Sequence, residues 1–379
     1  MSQSPSSAAA TIEEAYADRL RTAHELKRAG GLVAGFVSTA APIELIAAAG
    51  FHPVMITGDC RGSTELADEW MESLFDPMAR AIFQAALSGE LEFLDVLIIP
   101  RSADSFLRLY LYLREVERLD LCKRLPRVVL YDLLQTQSAT SLRHNLDQLR
   151  KIGETLKDIS GRAVTDDALR IAISDSNRNR QALRSVVNQR SELRLSGAFA
   201  LKAVTTRFLL PINLHTELLQ LLSSKTTTQP KPGGPRIVVA GNAQDNTALH
   251  ELLDSRGFDI VGNYHWLGDS VSQHDIESSG DPWLAVAEHY HRHSLTSRRF
   301  PHLPEELVAH ARHRNAQGVL FYLFEPEEAL TWDTPNQVTA LTAAGMPSLV
   351  LNEQPYVVEP TPSLLSELDN FSLRLGSSS

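Results

Sequence analysis

Residues Gly31–Asp59 read GLVAGFVSTAAPIELIAAAGFHPVMITGD, and the fold is decided there. Leu32–Val37 predicts a strand, Ser38-Thr39 a tight polar turn, and Pro42 the first turn of a helix, where a missing N–H costs nothing. Gly50-Phe51 predicts a break, because glycine lets a helix end left-handed, and Pro53–Thr57 predicts a second strand. Both strands are apolar almost without interruption, as parallel strands covered on both faces are. The stretch is a β-α-β unit, and such units carry chemistry on the loops after their strands.

The plan recurs. Arg236–Ala240 predicts a strand, Gly241–Asn246 a polar loop, Thr247–Ser255 a helix, Gly257-Phe258 a break and Asp259–Val261 a strand. Gly58-Asp59 is matched by Gly268-Asp269, LDVLIIPRSAD (94–104) by QGVLFYLFEPEE (317–328), and LPRVVLYD (125–132) by MPSLVLNE (346–353). This is an internal duplication: two similar α/β domains with parallel sheets, Rossmann-like or flavodoxin-like, joined by a helical segment. The expected divisions are 1–30 (tail and helix), 31–137 (first α/β domain), 138–222 (helices), 223–234 (linker, SSKTTTQPKPGG) and 235–379 (second α/β domain with a closing helix).

Composition narrows the function. At 379 residues, with 43% hydrophobic and 22% charged residues, the chain has material for more than one core. A net charge of −10 without a basic stripe speaks against nucleic acid. Apolar runs fall short of the ~20 residues of a membrane helix. MSQSPSSAAA lacks the marks of a signal peptide and reads as a disordered lead, followed by one charged amphipathic helix over Ile12–Ala29. Two cysteines, Cys60 and Cys122, fit a reducing compartment, so the cytoplasm is the expected location.

Strand-end loops of both halves should deliver their polar groups to a cleft between them. From the first half these are Ser38, Thr39, Glu44, Asp59, Cys60, Arg101, Ser102, Asp104 and Asp132. From the second they are Asn242, Gln244, Asn246, His265, Trp266, Glu325, Glu327, Asn352 and Glu353. AEHYHRHSL holds His289, His291 and His293, but their spacing on one helix lets only the first and last share a face. With no HExxH-type signature, a solvated basic helix end is expected there and no metal. GxxxxGK(S/T), GxGxxG and GxSxG are all absent, so motifs alone leave the chemistry open.

GFVSTAAPIELIAAAGFHPV resembles the opening of the 2-hydroxyacyl-CoA dehydratase and benzoyl-CoA reductase subunit family. DPMARAIFQAALSGELEFLDVLIIPRSADSFLRL is similar to its next helix and strand. ISDSNRNRQALRSVVNQR is similar to its N-x-x-R helix, with Asn177 and Arg180 on that motif, and QGVLFYLFEPEE and GMPSLVLNEQPY to its last two strands. The resemblance covers about Gly31 to Leu373 and implies two α/β domains around a four-iron four-sulfur cluster held by three cysteines. It also implies pairing with a related subunit, an activator that supplies an electron, and an acyl-CoA or related acyl thioester in the cleft.

The positions matching the cluster ligands are Asp76, Ala103 and Phe324, and the family's early cysteine is Ser38. Cluster iron needs thiolates, so no iron–sulfur cluster and no other cofactor is expected. Two readings stay open. In one, an enzyme or enzyme subunit, lyase-like or reductase-like, retains the acyl-thioester cleft. Asp76, Asp104, His265 and Glu325 are then its acid–base groups, and Ser38, Thr39, Glu44 and Arg101 hold substrate. In the other, the chain is a non-catalytic partner of a cluster-bearing paralogue. A homodimer or heterodimer suits either.

Overall fold

Alternation within the apolar strands explains why two layers of helix are needed in each half. In the strand β1 (Leu32–Phe36), Ala34 and Phe36 join one buried cluster while Val33 joins another on the opposite face. The same split recurs in the second half, where Ile237 and Val239 lie in one cluster and Val238 and Ala240 in the other. Such strands are stable only when both faces are covered.

The structure is a computed structural model and describes residues 5–72, 75–122, 124–192, 195–224, 233–299, 303–325 and 327–376. The chain opens with α1 (Pro5–Ala17) and α2 (Arg21–Arg28), followed by β1, α3 (Ile43–Ala48) and β2 (Phe51–Met55). Then come α4 (Glu65–Asp68), α5 (Pro77–Leu87), β3 (Val96–Pro100), α6 (Asp104–Arg118) and β4 (Arg127–Tyr131). Four helices follow: α7 (Ala139–Ser160), α8 (Asp166–Ser191), α9 (Gly197–Thr206) and α10 (Ile212–Ser223). The second half runs β5 (Arg236–Gly241), α11 (Ala248–Ser255), β6 (Asp259–Tyr264), α12 (Ser270–Gln273), α13 (Pro282–His293) and α14 (Pro304–His313). It ends with β7 (Gly318–Phe324), α15 (Ala329–Ala343), β8 (Ser348–Gln354) and α16 (Pro362–Gly376).

All strand pairs are parallel, and the two sheets share one order: β2-β1-β3-β4 and β6-β5-β7-β8. The repeat read from the sequence is therefore a repeat of topology. The largest buried cluster joins β1 and β3 to α3, α7, α8 and α10, and takes in Val286 and Tyr290 of α13. The helical segment thus packs against both halves. Among the described residues no helix is long and apolar enough to cross a membrane.

Four expectations change. The second strand starts at Phe51, directly after the Gly50 break, and ends at Met55, two residues ahead of the expected Pro53–Thr57. Pro42 is the N-cap of α3, one place ahead of the first turn, because the chain first makes a tight turn with Ala41 N–H on Ser38 O. The lead is helical from Pro5, and Ala8, Ile12 and Ala15 bury one face of α1 at helical spacing. The single helix over Ile12–Ala29 is two, α1 and α2, separated at Asp18–Leu20. Most of the expected linker, 225–232, lies outside the described residues.

One glycine fixes the loop after β2. Gly58 has φ +69°, and a Cβ there would sit 2.6 Å from the Ala81 carbonyl carbon in α5. Both the left-handed backbone and the contact exclude other residues. Gly58→Ala is expected to cost roughly 1–2 kcal/mol in denaturant unfolding.

Candidate functional site

The C-terminal ends of both sheets open onto one cleft. Ser38, Asp76, Ser102 and Ala103 line it from the first half, with Asn242, His265, Phe324, Glu327 and Tyr356 from the second. Its cavity volume is about 140 Å³, below the roughly 300–1,000 Å³ of pockets for drug-sized ligands.

Local structure delivers each of these groups. Asp76 caps α5, its carboxylate accepting the Ala79 N–H at 2.8 Å, with Pro77 at the first helical position. Ser38 and Ser102, at the ends of neighbouring strands, share a hydrogen bond of 2.8 Å between their hydroxyls. Thr39 donates to the Trp266 carbonyl at 2.8 Å and so ties one half to the other. Phe324 reaches the cleft where the β7–β8 register shifts, between Tyr322 and Phe324, and the Asn242 side chain accepts the Phe324 N–H at 2.9 Å. Such irregularities re-aim side chains beside functional sites. The same Asn242 amide donates to Glu327 at 2.8 Å.

Charge in the cleft is unusual in two places. Burial pushes the Asp76 carboxyl up to about 6, with nearby Glu327 adding to the rise. That places a proton donor and acceptor near neutral pH, the range in which general acid–base groups work. Burial also holds His265 down to about 3, so its imidazole is neutral, and neither ring nitrogen has a protein partner. A buried, unpaired imidazole facing a cavity is costly.

Of the strand-end residues expected in the cleft, Asp59, Cys60, Asp132, Gln244, Asn246, Asn352 and Glu353 do not line it, and neither do four of the expected acid–base and substrate-holding residues. Glu44 does not line the cleft: it is fully buried, paired with Arg180 at 2.6 Å and bonded to Tyr290 at 2.7 Å. Arg101 turns aside to Asp132 at 2.9 Å. Asp104, at the first turn of α6, is exposed and pairs with Arg298. Glu325 is exposed one step past β7, and the next described acidic residue, Glu327, takes its place in the cleft. The histidine helix also differs from a solvated end. His291 is buried against Asn145, its Nδ1 at 3.1 Å from the amide, and His293 stacks on His274 with ring centres 3.9 Å apart. The packing of α13 on α7 and α8 accounts for this. Tyr356, just beyond β8, also lines the cleft and escapes the sequence reading; its one signal is its place after a strand end.

Asp76, Ala103 and Phe324 come from three separate segments and do meet at this cleft. As a donor set they offer one carboxylate, one methyl and one phenyl ring, which do not fit an iron–sulfur cluster. Both cysteines are free thiols, and neither lines the cleft. Among the described residues no three or more His, Cys, Asp or Glu side chains are grouped to hold a metal ion.

Comparison with known proteins gives a consistent set. One subunit of the benzoyl-CoA reductase of Thauera aromatica is 23% identical over 303 residues, covering 76% of this chain and 77% of the relative. The (R)-phenyllactyl-CoA dehydratase beta subunit of Clostridium sporogenes is 22% identical over 347 residues, covering 86% and 87%. The beta subunit of the (R)-2-hydroxyglutaryl-CoA dehydratase of Acidaminococcus fermentans is 26% identical over 231 residues, 59% of each chain. The sequence profile of one family, described as 2-hydroxyglutaryl-CoA dehydratase, D-component, matches residues 38–354. With most of its length matched, this chain belongs to the 2-hydroxyglutaryl-CoA dehydratase D-component family.

Proposed function

We propose that the protein binds an acyl-CoA or related acyl thioester in the interdomain cleft and carries no iron–sulfur cluster of its own. The observation that carries this reading is the convergence of Asp76, Ala103 and Phe324 on one acyl-sized cavity. The cavity keeps the place of the ligand positions without their thiolates. A larger groove of about 550 Å³ adjoins it, sharing Tyr264, Leu295, Arg299 and Glu306. Arg184, Arg292, Arg299 and Arg314 line that groove, which suits the phosphates of a CoA handle. Each arginine already has a carboxylate partner: Asp275, Glu288, Glu306 and Asp269 respectively. A phosphate would therefore share these cations, giving moderate and salt-sensitive affinity.

Within the cleft, Asp76 is the group placed to exchange a proton near neutral pH, and His265 is an acceptor with free nitrogens. Ser38 supplies a hydroxyl toward the thioester, while Thr39, its proton donated to the Trp266 carbonyl, can only accept there. Asp104, Glu325, Arg101 and Glu44 have no place in that constellation.

Calorimetric titration with butyryl-CoA and with free CoA tests the reading. Ala103→Trp fills the cavity and leaves the groove intact. It is expected to weaken butyryl-CoA binding at least about tenfold while free CoA binds as before. Equal loss for both ligands, or butyryl-CoA binding no tighter than free CoA in the native protein, overturns it. Iron and sulfide in the purified chain are expected well below one cluster per chain.

A second reading is favoured by the relatives, which are named as subunits. In it the chain is the partner of a cluster-bearing paralogue, in a heterodimer of a dehydratase or reductase complex, within the reducing cytoplasm that two free thiols suit. Co-purification with a cysteine-bearing relative, and activity only in the pair, would select it.

A further inference from the structure

Behind the cleft the protein buries two guanidinium groups against one carboxylate. Glu44 of α3 accepts Arg180 at 2.6 Å and Ser176 at 2.5 Å on Oε1, and Tyr290 at 2.7 Å on Oε2. Arg207, just past α9, is also buried and bonds Asn179 and, at 2.7 Å, Ser176. It makes no contact with a carboxylate among these hydrogen bonds. His289 stands beside Arg180, held neutral by burial and by that cation. The cluster therefore carries one positive charge in excess.

Such a charge is expensive in a protein interior unless something opposite in sign lies against it. Burial and the neighbouring Arg180 hold Arg207 down at about 9 although Glu44 pulls the other way, because one carboxylate is shared between two cations. Polar atoms are left over as well: Nε of Arg180, Nε of Arg207 and Nδ1 of His289 are buried without a partner. All three side chains line a small cavity with Tyr290, and its free volume is about 30 Å³. A single water needs about 10–15 Å³, so the space suits one small anion. Thr39 and Leu295 line both this cavity and the main cleft, and the two are adjacent.

We propose that this cavity is a binding site for a small monovalent anion, gripped between Arg180 and Arg207 at the junction of both halves and the helical segment. The chemistry is that of chloride or a carboxylate. It has two sources: a free anion from solution, or the terminal carboxylate of a ligand whose body lies in the cleft. The free-anion site stands whether or not the cleft takes acyl thioesters; the ligand-carboxylate source rests on that reading.

Thermal melting of the full chain in gluconate, with chloride, bromide or formate substituted at constant ionic strength, tests it. The expected result is a saturable rise in Tm of about 3 °C with each small anion, and none when sulfate replaces gluconate. Arg207→Met removes the excess charge and should abolish the rise. Should that variant not fold, bromide-soaked crystals of the native protein should show an anomalous peak between Arg180 and Arg207. If succinyl-CoA alone raises Tm, beyond butyryl-CoA, the anion comes from the ligand. No anion dependence with any probe, a dependence that survives Arg207→Met, or no bromide peak would overturn the proposal.

Discussion

Asp269→Ala should be the most damaging single substitution in the second half, costing about 3–5 kcal/mol. Asp269 is fully buried at the end of the loop after β6, where Arg190 of α8 reaches both its oxygens at 2.7 Å and Arg314 approaches to 3.2 Å. Burial alone would push its carboxyl up, but Arg190, Arg314 and His310 outweigh that and hold it below the ordinary value. Alanine would leave two guanidinium groups in the interior with no counter-charge. It would also cut the tie between the helical segment and the second sheet. The sign in pH follows from the lowered value. The stabilisation is complete above the unfolded carboxyl range near 3.8 and is lost as pH falls through the lower folded value. The native protein should thus lose stability on that acid limb, and the variant should lose less there. Denaturant titrations from pH 3 to 7 check both points. Replacing the Arg190–Asp269 pair together by Met and Leu should cost less than Asp269→Ala, since the cost lies in the orphaned charge.

Asp76→Asn should act in the opposite direction, stabilising the protein by about 2–3 kcal/mol at pH 7.5. The Asp76 carboxyl is raised to about 6 from an ordinary value of 3.8, chiefly by burial at the cleft wall. The folded state then binds its proton more tightly than the unfolded chain. Its stability contribution is full below about pH 4 and is lost as pH rises to about 6. Asparagine removes the charge yet can still cap α5 by accepting the Ala79 N–H. The gain should vanish below pH 4 and grow to a plateau above pH 6, read from unfolding curves across that range. A variant that gains stability while losing acyl-thioester chemistry would mark Asp76 as retained for function at the expense of the fold.

Much of this architecture is legible without coordinates. Unbroken apolar runs in Val33–Val37, Val96–Pro100 and Gly318–Phe324 give strands because only a sheet covered on both faces buries every residue. Glycine breaks and the Asp76-Pro77 start give helix ends, since they depend on one or two residues. Pairings between distant segments are not legible. Glu44 sits in a strand-to-helix stretch of the kind that feeds a cleft, but Arg180 claims it from 136 residues away. Asp104 and Glu325 sit at strand ends, as expected, yet direction at a strand end turns on a single residue. The register shift in β7 brings Phe324 and Glu327 inward and leaves Glu325 outside. The alanine-rich lead of α1 has too little hydrophobic contrast to declare its buried face. Its partners, α9 and α10, lie some two hundred positions onward.

The first helices bear on motion as well as on packing. Arg19, between α1 and α2, donates to Thr57 at 2.9 Å on the first half and to the Asp245 carboxylate at 3.3 Å on the second. Tyr16 binds the Asp245 carbonyl at 2.8 Å. One guanidinium is thus a rivet through both halves, set outside either sheet. Any swing that drew Thr57 away from Asp245 would have to pull that rivet first. The same Asp245 faces Tyr356 of the cleft wall, so opening of the cleft would be resisted by a segment that belongs to neither sheet.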